Sequence, residues 1–172
     1  YTMPNGDVLL TLTNAPERPL AGGWLVNTVA GFLFSRAGAA VPSPDQLVLL
    51  RDADGDGTAE ERHVLRDDLA SPSGIAWADG QLYVANHDAV LRFAYAEGEN
   101  RVTGAGEKLM DLPPAGNHWM RNLVLSEDGT RLYVAVGSAS NIAEAGIAAE
   151  EGRAAIHELN LESGVARIFG AG

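Results

Sequence analysis

The sequence has 172 residues, no cysteine, and 23 acidic against 12 basic residues, which gives a net charge of −11. The length suffices for a folded core, and the lack of cysteine excludes disulfides, thiolate metal sites and a cysteine nucleophile. The acidic balance argues against a nucleic-acid partner, because phosphate backbones are bound by clustered Lys and Arg. The chain starts at Tyr1 and stops within a strand-and-turn pattern, so we expect it to be a segment of a longer polypeptide.

The first predicted strand is short and is followed by an insertion. Asn5–Gly6 is a turn pair, and the apolar residues Val8–Thr11 follow it. The insertion covers about residues 15–44 and contains the uncharged stretch Leu20–Phe34. A membrane-spanning helix needs roughly 20 such residues, and this stretch is shorter. Two interpretations stay open: a buried insertion packed on a sheet, or a surface hairpin or helix that touches a membrane or a partner.

An acidic loop follows the next predicted strand, Gln46–Arg51. Carboxylates that alternate with glycine deliver hard oxygen ligands to one point, as in calcium-binding loops. The candidate metal ligands are Asp52, Asp54, Asp56 and Glu61. The twelfth position of the loop, where an EF-hand has a bidentate Glu, is His63. The pattern therefore predicts either a plain acidic turn between strands or a weak structural calcium site.

The rest of the chain repeats one unit. The run Asp79–Ala85 returns as Asp128–Ala135, with an apolar strand before each Asp-Gly pair and two strands after it. The later strands of the two units are predicted at Ala89–Ala94, Glu107–Leu112, Ala154–Leu159 and Ala166–Phe169. Only the stretch Ile142–Arg153 has a helix-favouring composition, and two glycines interrupt it.

Four short strands in roughly 50 residues are typical of a propeller blade. The sequence therefore predicts an all-β fold, a β-propeller of four-stranded antiparallel blades, with about three blades present and residues 1–172 forming a partial propeller domain. Three blades cannot close a ring, so the segment taken by itself is expected to expose sheet faces and edges and to form a homodimer or a larger assembly.

Longer runs of the sequence resemble a known enzyme family. The runs are DADGDGTAEERHVLRDDLASPSGIAW, LYVANHDAVLRF, NHWMRNLVLSEDGTRLYVAVGSASN and EEGRAAIHEL. They are similar to the sorbosone dehydrogenase branch of the PQQ-dependent glucose/sorbosone dehydrogenases. The resemblance implies a six-bladed parent propeller, of which this chain is the N-terminal half. It also implies pyrroloquinoline quinone (PQQ) and Ca²⁺ as cofactors and oxidation of a sugar or sugar aldehyde. Export to the periplasm or beyond the cell, with possible membrane association, and electron transfer to a cytochrome or quinone are expected with it.

His118 is the catalytic candidate. It lies between a Pro/Gly loop and an innermost blade strand, so its ring is expected at the central channel. Oxidation of an alcohol removes a hydroxyl proton, and imidazole is suited to accept it. Alternatively, His118 is a structural loop residue whose ring only forms hydrogen bonds with the backbone. The resemblance implies that His118 is the general base, because the family has a His in the matching place.

Four further residues are candidates near His118. Arg121 and Asn122 are expected either to reach a quinone carboxylate or a sugar hydroxyl, or to be structural. Glucose-oxidising members of the family have an Asp that orients the histidine, and here the matching position is Ser138. Ser138 and Asn141 are therefore the substrate-binding candidates.

Two other functions stay open at this stage. One is a non-catalytic propeller that binds a protein or polysaccharide, and the other is a calcium-dependent hydrolase of the lactonase type. The repeats alone do not separate these from the dehydrogenase, whereas the loop around His118 favours the dehydrogenase. Most PQQ-binding positions of the family belong to later blades, so the segment by itself is not expected to be a complete enzyme.

Overall fold

The structure is a computed structural model of the chain. It describes residues 1–16 and 43–171, together with five helical positions at 28, 29, 32, 33 and 36. The strands form three separate antiparallel sheets, and their order along the chain is also their order in space. These sheets are consecutive blades of a β-propeller, which confirms the predicted all-β class.

Blade 1 comprises β1 (Val8–Leu12), β2 (Gln46–Arg51) and β3 (Glu61–Arg66). It has three full strands where four were predicted. A fourth, innermost segment is reduced to one bridge between Thr2 and Val8 and to paired backbone hydrogen bonds between Tyr1 and Leu9.

Blades 2 and 3 are complete four-stranded units. Blade 2 comprises β4 (Gly74–Ala78), β5 (Gln81–Ala85), β6 (Ala89–Ala94) and β7 (Glu107–Asp111). Blade 3 comprises β8 (Arg121–Leu125), β9 (Arg131–Val136), β10 (Ala155–Asn160) and β11 (Ala166–Ala171). The helix-favouring stretch 142–153 forms only a 3₁₀ turn, Ile147–Glu150, because its glycines interrupt a longer helix.

The core lies between the blades rather than inside one sheet. On β5, Leu82 and Val84 pack against blade 1, while Tyr83 and Ala85 pack against blade 3. This alternation follows from the two-residue period of a strand. Both faces of blade 2 are therefore covered, and the innermost strands β4 and β8 lie side by side.

Two kinds of loop meet at one end of the blades. The connections that enter an innermost strand, 67–73 and 112–120, lie beside the connections between the second and third strands, 86–88 and 137–154. Backbone hydrogen bonds join them, from His87 N to Ala70 O and from Asn117 N to Ala139 O. The acidic loop follows the end of β2 and so lies at the opposite end of the blades.

The insertion joins β1 to β2, and its base is closed by hydrogen bonds between Asn14 and Ser43. The stretch Leu20–Phe34 lies outside the described residues except at four positions. Of these, Val29, Phe32 and Leu33 are helical and exposed, which favours the surface interpretation over burial for these positions. Within the part of the chain that the structure describes, no helix is both long and apolar enough to cross a bilayer.

Candidate functional site

His118 lies in the loop between β7 and β8, with its side chain exposed. This loop runs close against the end of β9. The Asn117 N–H donates to Ala139 O at 2.7 Å, and glycines stand at two points of close approach. A Cβ at Gly116 would lie 2.5 Å from Ala139 Cα, and one at Gly137 would lie 2.6 Å from His118 Cβ. The glycines thus allow the backbone contact that holds His118 at the end of blade 3.

The imidazole of His118 is held by Ser138. Its Nδ1 lies 2.8 Å from Ser138 Oγ and 3.3 Å from Ser138 O. The hydroxyl of Ser138 donates its hydrogen to Ser140 O at 2.9 Å. A hydroxyl has one hydrogen to donate, so toward the ring Ser138 Oγ is an acceptor. In the neutral ring, this arrangement favours the hydrogen on Nδ1 and the lone pair on Nε2.

Arg121 is fully buried beneath the same loop. Its guanidinium donates to Pro113 O at 3.1 Å and to His118 O at 3.0 Å, so it ties both ends of the loop together. Burial, with a smaller contribution from the nearby Arg153, lowers the pKa of Arg121 from its ordinary value. The side chain is not presented to the surface, and this placement favours the structural reading of Arg121 that the sequence left open.

Asn122 points to the other face of β8 and is exposed. It lines a hollow of about 320 Å³ between the innermost strands, together with Thr11 of β1 and Ser73 before β4. Ser73 also joins blades 2 and 3, since its hydroxyl accepts from Arg121 N and donates to Arg121 O. Asn122 is thus exposed in this structure, whereas its neighbour Arg121 is buried.

Ser138 and Asn141 share an open hollow of about 700 Å³ beside His118. Its polar lining includes Ser140, Glu150 and Arg153, and its apolar lining includes Ile142 and Ile168. Hydroxyl, amide, carboxylate and guanidinium groups next to an apolar wall are suited to a polyhydroxylated ligand. The structure therefore brings together three of the predicted site residues, His118, Ser138 and Asn141.

The acidic loop forms a tight turn around Asp52. Its carboxylate accepts the backbone N–H groups of Gly55, Asp56 and Gly57, and these hydrogen bonds, that from Gly57 first, lower its pKa. Ligand oxygens of four residues lie within 4.8 Å of one another, and the four are Asp52, Asp54, Asp56 and Glu60.

Glu61, the fourth ligand that the sequence suggested, lies elsewhere. Its carboxylate is 2.9 Å from His63 Nε2 and 3.7 Å from an Arg51 nitrogen. The two-residue period of β3 turns Glu61 toward these neighbours and leaves Glu60 with the aspartates. The acidic loop remains a candidate metal site, remote from His118.

Sequence reasoning missed the residues that hold the loops of the site. Glu150, Ser140 and the glycines at 116 and 137 do not belong to a recognisable motif. Gly137 directly follows the apolar strand β9. A glycine in such a place can indicate that another backbone segment approaches closely, so this residue was readable from the sequence. The contact between Glu150 and residue 139 depends on how the loop 137–154 folds back, and no local pattern encodes it.

Comparison with solved structures shows the same fold. A calcium structure of the Trichoderma reesei protein of carbohydrate-active enzymes family AA12 matches with a TM-score of 0.60 at 22% identity, over 70% of this chain and 32% of that one. The holo form of the pyranose dehydrogenase PQQ domain from Coprinopsis cinerea matches with a TM-score of 0.58 at 18% identity, over 69% and 30%. An iodide structure of the T. reesei protein matches over 92% of this chain and 40% of that one, with a TM-score of 0.60 at 19% identity.

The chain thus spans between 30% and 40% of the length of these solved relatives. Among curated proteins, none is similar enough to give a significant match. The family model described as TrAA12-like matches residues 46–169, which is well over half of the chain. The chain belongs to the TrAA12-like family.

Proposed function

We propose that this chain is part of a PQQ-dependent sugar or aldehyde dehydrogenase in which His118 is the general base. The observation that carries the proposal is the contact of His118 Nδ1 with Ser138 on an exposed ring, an arrangement that in the neutral imidazole favours a free lone pair on Nε2. The family match and the likeness to a pyranose dehydrogenase PQQ domain support the reaction class.

Two arginines near His118 have no carboxylate partner among the described residues. Arg121 and Arg153 lie close enough for one charge to lower the pKa of the other, and neither forms an ion pair among the described residues. Arg121 Nε and Arg153 Nη1 are buried without a hydrogen-bond partner there. Glu150 and Glu151 line the same hollow as Arg153, so the support for an anionic cofactor comes from the unpaired Nη1 of Arg153 and not from a net positive charge at this end of blade 3.

Each residue near His118 has a role in this proposal. PQQ, together with calcium, supplies the oxidising quinone when bound. Asn122 would hold the cofactor in the channel through its amide, and Arg121 supports the loop from beneath. Ser138 and Asn141, with the other polar groups of their hollow, would hold sugar hydroxyls.

His118 performs the proton transfer. Its Nε2 accepts the proton of the substrate hydroxyl while hydride leaves the adjacent carbon, and Nδ1–H stays on Ser138. Ser138 Oγ and Ser138 O both accept from Nδ1–H and stabilise the imidazolium as dipoles. A carboxylate in that place would stabilise it by charge, so the base strength of this site depends on the serine loop.

The finer assignments rest on the sequence resemblance. We propose a substrate of the sorbosone or aldose type, a cytochrome or quinone as electron acceptor, and a periplasmic or extracellular location.

The test is cofactor reconstitution of the full-length protein. Addition of PQQ with Ca²⁺ should produce reduction of an artificial electron-accepting dye that depends on a pyranose or sugar aldehyde. Omission of PQQ should abolish it. Hydrolysis of a sugar lactone without PQQ would favour the hydrolase instead, and sugar binding with no dye reduction would favour a non-catalytic propeller.

A further inference from the structure

The carboxylate of Glu150 joins the two halves of the loop that carries Ser138. Glu150 ends the 3₁₀ turn and is half-buried. Its Oε2 accepts the backbone N–H of Ala139 at 2.7 Å, and its Oε1 accepts the hydroxyl of Ser140 at 3.3 Å. The residues it holds are thus the two that directly follow Ser138.

Each of these contacts bears on His118. Ser140 O receives the hydroxyl hydrogen of Ser138 at 2.9 Å, which turns the lone pairs of Ser138 Oγ toward the ring. Ala139 O receives the N–H of Asn117, the neighbour of His118, at 2.7 Å. A shift of residues 139–140 would therefore move both the backbone beside His118 and the acceptor of its Nδ1–H.

A carboxylate matches both partners of Glu150. The Ala139 N–H donates to Oε2, and the Ser140 hydroxyl donates to Oε1 while its oxygen accepts from Glu144 N at 3.2 Å. An ionised Glu offers acceptors on both oxygens, whereas an amide would turn an NH₂ group toward one of the two donors. Hydrogen bonds to a charged acceptor are also stronger than those between neutral groups.

We propose that Glu150 is a positioning residue that keeps His118 in the Nδ1–H tautomer with Nε2 free. Its catalytic meaning rests on the proposed function, since a fixed tautomer matters to turnover only where His118 is the base. The link runs from Glu150 through residues 139–140 to Ser138 and then to Nδ1. Without the carboxylate, residues 139–140 are no longer held, and Ser140 O can move away from the Ser138 hydroxyl. The hydroxyl is then able to donate to Nδ1, which favours the Nε2–H form.

The experiment reads the tautomer directly by NMR. In the full-length protein with ¹⁵N-labelled histidine, long-range ¹H–¹⁵N correlations at a pH where His118 is neutral report which ring nitrogen carries hydrogen. We expect the Nδ1–H form to predominate in the wild type and the Nε2–H form to become the major species in Glu150→Ala. In the same variant kcat should fall about tenfold, and Ser138→Ala should shift the tautomer in the same direction.

The matched control is Glu162→Ala, which removes the same charge from an exposed position in the turn between β10 and β11. It should leave the tautomer and kcat unchanged. An Nε2–H form that predominates in the wild type, or a wild-type tautomer in Glu150→Ala, would overturn the inference. If Glu150→Ala does not fold, Glu150→Gln decides it by the same spectrum: the amide lacks the second acceptor oxygen, so the Nε2–H form should increase, and a wild-type tautomer would overturn the inference. The tautomer is measured without substrate or PQQ, so a protein without dehydrogenase activity would sink the proposed function and still leave this inference tested.

Discussion

At the scale of single residues, the site depends on how closely two backbones approach. Gly137 and Gly116 face the loop of His118 and residue 139 across gaps that leave no room for a side chain. Neither contact involves a positive φ at these two residues, so the glycines are required for space rather than for backbone conformation. The position of the imidazole is therefore set by the packing of two loops against each other.

Gly137→Ala tests this packing. The added methyl group would lie 2.6 Å from His118 Cβ and 2.8 Å from His118 O, so the loop must move away. Because a displacement of about 1 Å at a catalytic group can cost 10²-fold, we expect turnover to fall about tenfold to a hundredfold. Gly170→Ala is the control, since its Cβ would meet nothing within 4 Å. Equal turnover in the two variants, measured in the full-length protein, would show that the approach of the loops is unimportant.

The sequence indicated part of this site and could not indicate the rest. The loop of His118 and the serine at 138 are adjacent to recognisable strands, so their types and positions were readable. The burial of Arg121 was not, because it depends on which face of β8 turns inward and on carbonyls contributed by residues 113 and 118. Glu150 lies 12 positions after Ser138, and only the folded loop brings it back.

At the scale of elements, blade 1 is tied to blade 2 through Arg51, whose guanidinium is held by an ion pair within blade 1. Arg51 at the end of β2 donates to both carboxylate oxygens of Asp7 at 2.8 Å. The same guanidinium reaches Asn100 and the carbonyl of Gly98 in the loop before β7. The hydrogen bond from Arg51 lowers the pKa of Asp7 despite the opposing effect of burial. A blade without a full fourth strand thus gains a polar anchor to its neighbour.

Asp7→Asn should destabilise the fold and change its response to acid. The folded-state pKa of Asp7 lies below its unfolded value, so its contribution is present above about pH 4 and is lost as the pH falls through the folded-state pKa. We expect a loss of about 1–3 kcal/mol at pH 7 and a shallower decline below pH 4. Urea unfolding of the wild type and the variant at pH 7 and below pH 4 measures the two free energies of unfolding.

The control for Asp7 is Asp111→Asn, which breaks the exposed pair with Lys108. Such surface pairs contribute about 0–1 kcal/mol. An Asp7→Asn protein as stable as this control at pH 7 would show that the Asp7–Arg51 pair does not anchor blade 1.

The acidic loop between β2 and β3 should bind calcium weakly or not at all. Its four clustered carboxylates are exposed, and Asp52 already accepts three backbone N–H groups that a cation would compete with. The bidentate twelfth ligand of an EF-hand is absent as well. Calorimetry of the chain should show no binding tighter than the micromolar range, and a sub-micromolar site removed by Asp54→Asn would contradict this.

The strands were the most predictable elements. The turn pairs and alternating apolar residues predicted β2 and β6 with the bounds that the structure has, and most other strands within one or two residues. The reduced fourth strand of blade 1 was not predictable, because Tyr1–Met3 lacks a pattern long enough to read. The loop 142–153 showed a helical composition, but its glycines limit it to a single 3₁₀ turn.

At the scale of the whole molecule, the two faces of the last blade differ. Tyr83 of blade 2 is 5% exposed because blade 3 covers it. The repeated residue in blade 3 is Tyr133, which lies on the face turned away from blade 2, where its ring contacts that of Phe169 at a centroid distance of 5.1 Å. Val124 and Ile156 on this face are 62% and 43% exposed. The matching face of blade 2 is covered by blade 3. The apolar residues on this face of blade 3 are therefore those expected of a surface that another blade covers.

We propose that the 172-residue chain, prepared by itself, associates through this face into a homodimer or larger assembly. Burial of apolar surface contributes roughly 25 cal/mol per Å². Burial of several hundred Å² in an interface would therefore offset part of the translational and rotational entropy that is lost on association. Light scattering should give at least twice the monomer mass, and Val124→Lys should reduce it. A folded monomer at micromolar concentration would rule the assembly out.

The most direct test of the whole account is the turnover of the full-length protein with His118→Ala. With PQQ bound, loss of the general base should lower kcat by about 10²–10⁴-fold, while the control His63→Ala, at the opposite end of the blades, keeps wild-type turnover. PQQ absorbance in both variants confirms that the cofactor is retained. Wild-type turnover in His118→Ala with PQQ bound would contradict the assignment of His118 as the base and, with it, the proposed function of this site.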